Sequence, residues 1–152
     1  MIKKTLLVLL LVSTLFASPF EINKKYRIFV LPDQFGIKHS IDRHTHTFIV
    51  SFEKDTGADV NKFLASKSSD YLAKHEAVFI ANISKMPSLI TKYFAMPKLK
   101  KYKHQVLLVN DEADHRFKAK DGKITIYKTK KGVVTEIFYI NSAKELNKIL
   151  VK

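Results

Sequence analysis

Three short runs of apolar, β-rich residues, FIVSF at 48–52, AVFIANIS at 77–84 and QVLLV at 105–109, are separated by stretches whose apolar residues recur at helical spacing. This alternation constrains the fold more than any other feature of the chain. A short, continuous apolar run bounded by polar residues suits a strand buried on both faces, and strands of that kind are usually parallel ones joined by crossover helices. Between the first two runs, Asp59 has the chemistry of an N-cap, and Val60, Phe63, Leu64, Tyr71 and Leu72 share a helical face from which Lys62, Asp70 and Lys74 are absent. Between the second and third, Met86-Pro87-Ser88 opens a helix with proline near its first turn. Leu89, Ile90, Tyr93 and Phe94 are read as its inner face, and Pro97 as its limit.

The flanks differ from this pattern. YRIFVLPD at 26–33 turns at Pro32-Asp33, and QFGIKHSI returns as a second short strand, which gives an N-terminal hairpin. KITIYKT and VVTEIFYI lie either side of Lys130-Lys131-Gly132, a hairpin turn. Ser142 and Glu145 form a capping box before a last helix whose inner face is Ala143, Leu146, Ile149 and Leu150. The expected order is hairpin, β-α-β-α-β, hairpin, helix: a three-layer α/β domain with a central mixed sheet. An ordinary doubly wound sheet is the competing plan, and it would place a helix in the weakly patterned NDEADHRFKAKDG segment.

This order, with its strand–corner–helix from Phe48 to Phe63 and its closing hairpin and capped helix, resembles the thioredoxin-like superfamily. It is most similar to the peroxiredoxin and periplasmic thiol-disulfide oxidoreductase branch. The resemblance implies a fold in which a cysteine pair opens the first helix and a cis-proline precedes the closing hairpin. This chain has no cysteine. The matching corner reads Asp55-Thr56-Gly57-Ala58-Asp59, and the matching turn reads Asp121-Gly122-Lys123. A thiolate at a helix start is stabilised there and attacks disulfides or peroxides; a threonine hydroxyl needs a base, and none is legible beside Thr56. Gly57 is assigned the tight turn of the corner and Asp59 the cap, with the helix-start amides left as a possible anion site.

Other residues could carry chemistry. His39, His44 and His46 are close in sequence, and His44 and His46 on an extended segment would share one side, as a metal pair requires. The alternative is surface histidines before a strand. Lys98, Lys100, Lys101 and Lys103 surround Tyr102, a pattern that grips anionic headgroups or polymers or, equally, makes a solvated loop. Asp111, Glu112 and Asp114 follow the third strand, where α/β folds often bind ligands.

The first residues, MIKKTLLVLLLVSTLFAS, set two lysines before an apolar run and small residues, as in a secretory signal. The expected organisation is a signal peptide at 1–17 and one thioredoxin-like domain at 18–152, periplasmic or secreted. The formal net charge of +13 falls to +11 without the two leader lysines. Such a charge favours anionic partners, and an exported protein is not expected to meet nucleic acid. Without cysteine there is no disulfide framework, thiolate metal ligation or thiol catalysis. The sequence therefore points to a non-catalytic domain, without a cofactor, that binds an envelope protein. The alternatives are a redox helper with metal or cofactor at the histidines and a binder of anionic surfaces.

Overall fold

A computed structural model describes residues 17–151; the signal-peptide reading of 1–17 thus lies, except for Ala17, outside the described residues. The strands are β1 (Phe29–Pro32), β2 (Lys38–Ile41), β3 (Thr47–Ser51), β4 (Ala77–Asn82), β5 (Leu107–Val109), β6 (Ile124–Lys130) and β7 (Val133–Ile140). Five of them form one sheet in the order β5-β4-β3-β6-β7. β3, β4 and β5 run parallel, with Ile49 opposite Phe79 and Ile80 opposite Leu107. β6 and β7 are antiparallel additions, with Ile126 opposite Ile49. β1 and β2 form a separate hairpin that meets the sheet through the bridge between Asp33 and Leu107.

The helical elements are α1 (Lys54–Ala65), α2 (Tyr71–Lys74), α3 (Ser88–Ile90), a π-helical turn (Thr91–Ala95), α4 (Met96–Leu99), a 3-10 turn (Ala143–Glu145) and α5 (Leu146–Ile149). No helix lies between β5 and β6, which removes the doubly wound alternative. The period-two alternation of the strands splits the core. On one face Ile49, Phe79, Leu108 and Ile126 pack under Val60 and Leu64 of α1, Leu72 of α2, Leu99 of α4 and Leu146 of α5. On the other, Phe48, Val50, Ile80 and Tyr127 are covered by Leu31 and Ile41 of the hairpin and by Phe20, Tyr26 and Phe117. The third layer is thus made of hairpin and aromatic loops. Phe20 is its hub, stacked 4.9 Å from Tyr26 and edge-on 5.1 Å from Phe48.

Side-chain chemistry fixes the connections. In the β1–β2 turn the Asp33 carboxylate accepts the amides of Phe35 and Ile37 at 2.8 and 3.0 Å and pairs with His39 Nε2 at 2.7 Å. Burial works to raise the Asp33 pKa, but these bonds outweigh it and hold the carboxyl below its usual value. Lys131 and Gly132 both have positive φ, 52° and 81°, as a two-residue β6–β7 hairpin of matching twist requires. The capping box forms as expected: Ser142 Oγ accepts the Lys144 amide, and Glu145 accepts the amides of Asn141 and Ser142.

Four sequence expectations are corrected. The first long helix begins at Lys54, immediately after the strand, so Asp59 is not its N-cap. Asp59 instead accepts the amide of Ala143 at 2.7 Å and so caps the C-terminal helical segment. That helix also stops at Ala65, where Ser66 Oγ donates to the Phe63 carbonyl; the serine-rich linker then competes with helix and leaves α2 separate. Pro97 does not end its helix. Proline has no amide to offer and crowds the carbonyl four residues back, and the helix widens just before it, the Met96 amide reaching Thr91 five residues away. Finally, Leu89, Ile90, Tyr93 and Phe94 face outward rather than inward; they are 44–68% exposed, while Leu99, at the other end of the stretch, is the buried anchor.

Candidate functional site

The corner that opens α1 is one wall of a cleft of about 730 Å³. Its floor is the carboxyl end of the central strands, Ser51 at the end of β3 with Phe52 after it, and Ala81 and Asn82 of β4. Gly57, Ala58 and Asn61 of α1 form one side, and Ile90, Phe94, Lys98 and Tyr102 the other. Glu53, Lys54, Lys85 and Met86 border it as well. The β3–β4 and β4–β5 crossovers bring the helix starts to this edge of the sheet, the usual binding edge of an open α/β sheet.

The corner residues have structural partners. Asp55 is exposed; Thr56 is buried, and its hydroxyl donates to the Glu53 carbonyl at 3.1 Å. Gly57 sits inside the helix with no positive φ, so its assignment to a tight turn is corrected. Its role is close approach: a Cβ there would stand 3.2 Å from Ser51 Oγ. Ala58 is exposed and faces the cleft, whereas Asp59 is spent on Ala143. No side chain caps the start of α1. Glu53, at the cap position, instead holds the turn before β6, with both carboxylate oxygens 3.1 Å from the Gly122 amide. This carboxylate–amide bond ties the closing hairpin to the corner, and no cis peptide bond occurs among the described residues.

Behind the cleft lies a polar connection that the sequence did not advertise. His104 is 3% exposed, its Nε2 is 2.8 Å from Asn61 Oδ1, and its ring stacks on Tyr102 with centroids 5.0 Å apart. Its backbone carbonyl accepts from Gln34 Nε2 at 2.8 Å, and Gln34 Oε1 accepts the Val106 amide at 2.9 Å. Burial lowers the His104 pKa, so the imidazole is held neutral. Asn61 and Tyr102 both reach the cleft, which places this histidine directly behind its wall.

The other sequence candidates disperse. His39 pairs with Asp33 at 2.7 Å, His46 Nδ1 lies 2.8 Å from Glu76, and the backbone amide of His44 is held by Asp42. Among the described residues no group of three or more His, Asp or Glu is placed to hold a metal ion. Of the lysine-rich segment, Lys98 and Tyr102 border the cleft and Lys100 lines a shallower depression on the other flank of the same helix, while Lys101 and Lys103 are exposed. Asp114 pairs with Arg116 at 2.7 Å. Sequence reasoning missed Ile90, Phe94 and Asn61 as site residues. The available signal was that Met96 and Leu99 form a second apolar stripe on the same helix, competing with 89/90/93/94 for the core.

No family model and no curated protein matches the chain. Solved structures do. A peroxidoxin, BcpB, from Mycobacterium tuberculosis is 14% identical, with a TM-score of 0.51 over 86% of this chain and 94% of that one. The thioredoxin domain of a thiol-disulfide oxidoreductase from Bacteroides vulgatus is 11% identical, with a TM-score of 0.54 over 87% of this chain and 99% of that one. A thio-disulfide isomerase from Thermus thermophilus is 19% identical, with a TM-score of 0.50 over 86% and 95% of the two chains. At these identities the likeness is one of fold. The fold is thioredoxin-like, and the chain that adopts it has no cysteine.

Proposed function

We propose that this thioredoxin-like chain without a thiol is an exported, non-catalytic binding domain, and that its cleft takes an apolar segment bearing acidic groups from a protein of the cell envelope. One observation carries the reading: where thiol chemistry would need a nucleophile, the α1 corner instead walls an apolar cleft edged by Lys54, Lys85 and Lys98. Glu53, the only acid on that rim among the described residues, is engaged with Gly122. The Thr56 hydroxyl donates a hydrogen bond to the Glu53 carbonyl, and among the described residues no side-chain base is hydrogen-bonded to it. The lysines and the uncapped start of α1 favour negative charge on the occupant, and the apolar walls supply the burial that gives affinity. The dispersal of the histidines favours this reading over a metal-dependent helper. Residues 18–152 form the binding unit, and the periplasm or exterior is its compartment.

Ala58 offers the test, because it is exposed on α1 and faces the cleft. Ala58→Arg should fill the cleft without unfolding the domain. Peptides combining Phe or Leu with Asp or Glu should bind the wild type, and bind the variant at least about tenfold more weakly, the loss of roughly 1.4 kcal/mol. Equal binding by the two proteins, or equal binding of peptides with Lys in place of Asp and Glu, would refute the assignment. Insulin reduction and peroxide consumption by the purified protein should match a buffer control, and the mature chain should begin near Ser18 by mass spectrometry.

A further inference from the structure

The helical stretch 88–99 presents more apolar surface than the cleft uses. Ile90 and Phe94 turn into the cleft, and Thr91, Lys92 and Met96 line the depression on the opposite flank. Leu89 and Tyr93, one turn apart, line neither and form a ridge between them, 68% and 60% exposed. Phe94 beside them is also 68% exposed. Protruding apolar side chains of this size on consecutive turns require an explanation.

The charge around the ridge is one-sided. Between Glu76 and Asp111 the chain contains no acidic residue, while Lys85, Lys92, Lys98, Lys100, Lys101 and Lys103 all fall in that interval. Lys92 Nζ lies 5.3 Å from the centroid of the Tyr93 ring, so charge and aromatic body are presented together. An amphipathic helix that lies in a membrane interface combines these features: an apolar ridge that sinks to the boundary of headgroups and acyl chains, an aromatic at headgroup depth, and lysines that meet phosphates. A protein partner would need a groove shaped to a convex ridge, whereas a fluid bilayer conforms to it. No described helix is long and apolar enough to cross a membrane, so the ridge suits contact with a surface.

We propose that the Leu89–Tyr93 ridge docks this domain onto an anionic phospholipid surface, with Leu89 and Tyr93 entering the interface and Lys92, Lys100, Lys101 and Lys103, none of which lines the cleft, contacting headgroup phosphates. The docking is independent of the cleft's occupant. It would hold the cleft mouth beside the membrane, where segments emerging from envelope proteins are met.

The absence of cysteine permits a local test. Leu89→Cys carrying an environment-sensitive fluorophore, and Glu136→Cys on β7 at the far edge of the sheet carrying the same dye, are mixed with phosphatidylglycerol-containing or pure phosphatidylcholine vesicles, every form having the same N-terminus and a native circular dichroism spectrum. The expected result is a blue shift at 89 with anionic vesicles only, and none at 136. Replacing Lys92, Lys100 and Lys101 by Gln should weaken the titration about fivefold per lysine, and Tyr93→Ser should weaken it several-fold more. No shift at 89, an equal shift with neutral vesicles, an equal shift at 136, or indifference to both sets of substitutions would each overturn the proposal. The first of these would leave the ridge to a protein partner.

Discussion

Asp59 lies in the second turn of α1, yet its carboxylate serves a helix start 84 positions away in sequence, at Ala143. The Ala143 amide is fully buried, so Asp59→Ala removes a capping acceptor and leaves a buried N–H unpaired. Loss of a cap costs about 0.5–2 kcal/mol, and an orphaned buried donor about 1–3 kcal/mol. The two figures describe one lost bond, and the expected destabilisation is about 2 kcal/mol. Asp59→Asn keeps an acceptor oxygen without the charge and should cost about half as much. In urea unfolding the slope should stay constant while the midpoint falls by about 1 M for the alanine variant. Hydrogen exchange separates this role from capping of α1 itself: amides at 143–150 should open faster than those at 60–65. A wild-type midpoint, an asparagine variant as damaged as the alanine one, or faster exchange confined to α1 would each refute the assignment of Asp59 to the far helix.

His104 makes stability depend on pH. Its folded pKa lies below its unfolded value of about 6.5, so the unfolded state takes up the proton first and stability is lost as pH falls from there toward the folded value. Urea midpoints at mildly acidic and neutral pH should differ more for wild type than for His104→Gln, and equal differences would count against the buried neutral histidine. Tyr127, fully buried, accepts the Lys118 amide at 2.6 Å and has its pKa pushed up to about 12 by burial, against the lowering effect of that bond. Tyr127→Phe should cost about 0.5–1.5 kcal/mol, the net worth of one hydrogen bond to the Lys118 amide, and a variant as stable as wild type would show that the bond contributes nothing. For this raised group stability is full below the unfolded value of about 10 and is lost as pH rises toward the folded one, so the wild type should lose more stability than Tyr127→Phe across that interval.

The local order of the chain was legible because each element has its own short-range chemistry. FIVSF, AVFIAN and LLV are strands for reasons of burial, Lys131-Gly132 is a turn for reasons of φ, and Ser142 with Glu145 satisfies amides within four residues of each other. From that order the parallel core and the two flanking hairpins followed, and with them the resemblance to a thioredoxin-like plan. Local rules could not decide which partner a residue finds when several lie within reach in space. Asp59 had the composition of a cap, but only the packing of α1 against the C-terminal turn brought Ala143 to it. Leu89, Ile90, Tyr93 and Phe94 were rightly placed on a common side of a helix. Periodicity states which residues share a face, not which face docks, and the crossover from β4 to β5 anchors that helix through Leu99. The cleft at the α1 corner exists because of that choice: the sequence determined that the corner carries no thiol, and the tertiary structure decided that an apolar helix would stand open beside it.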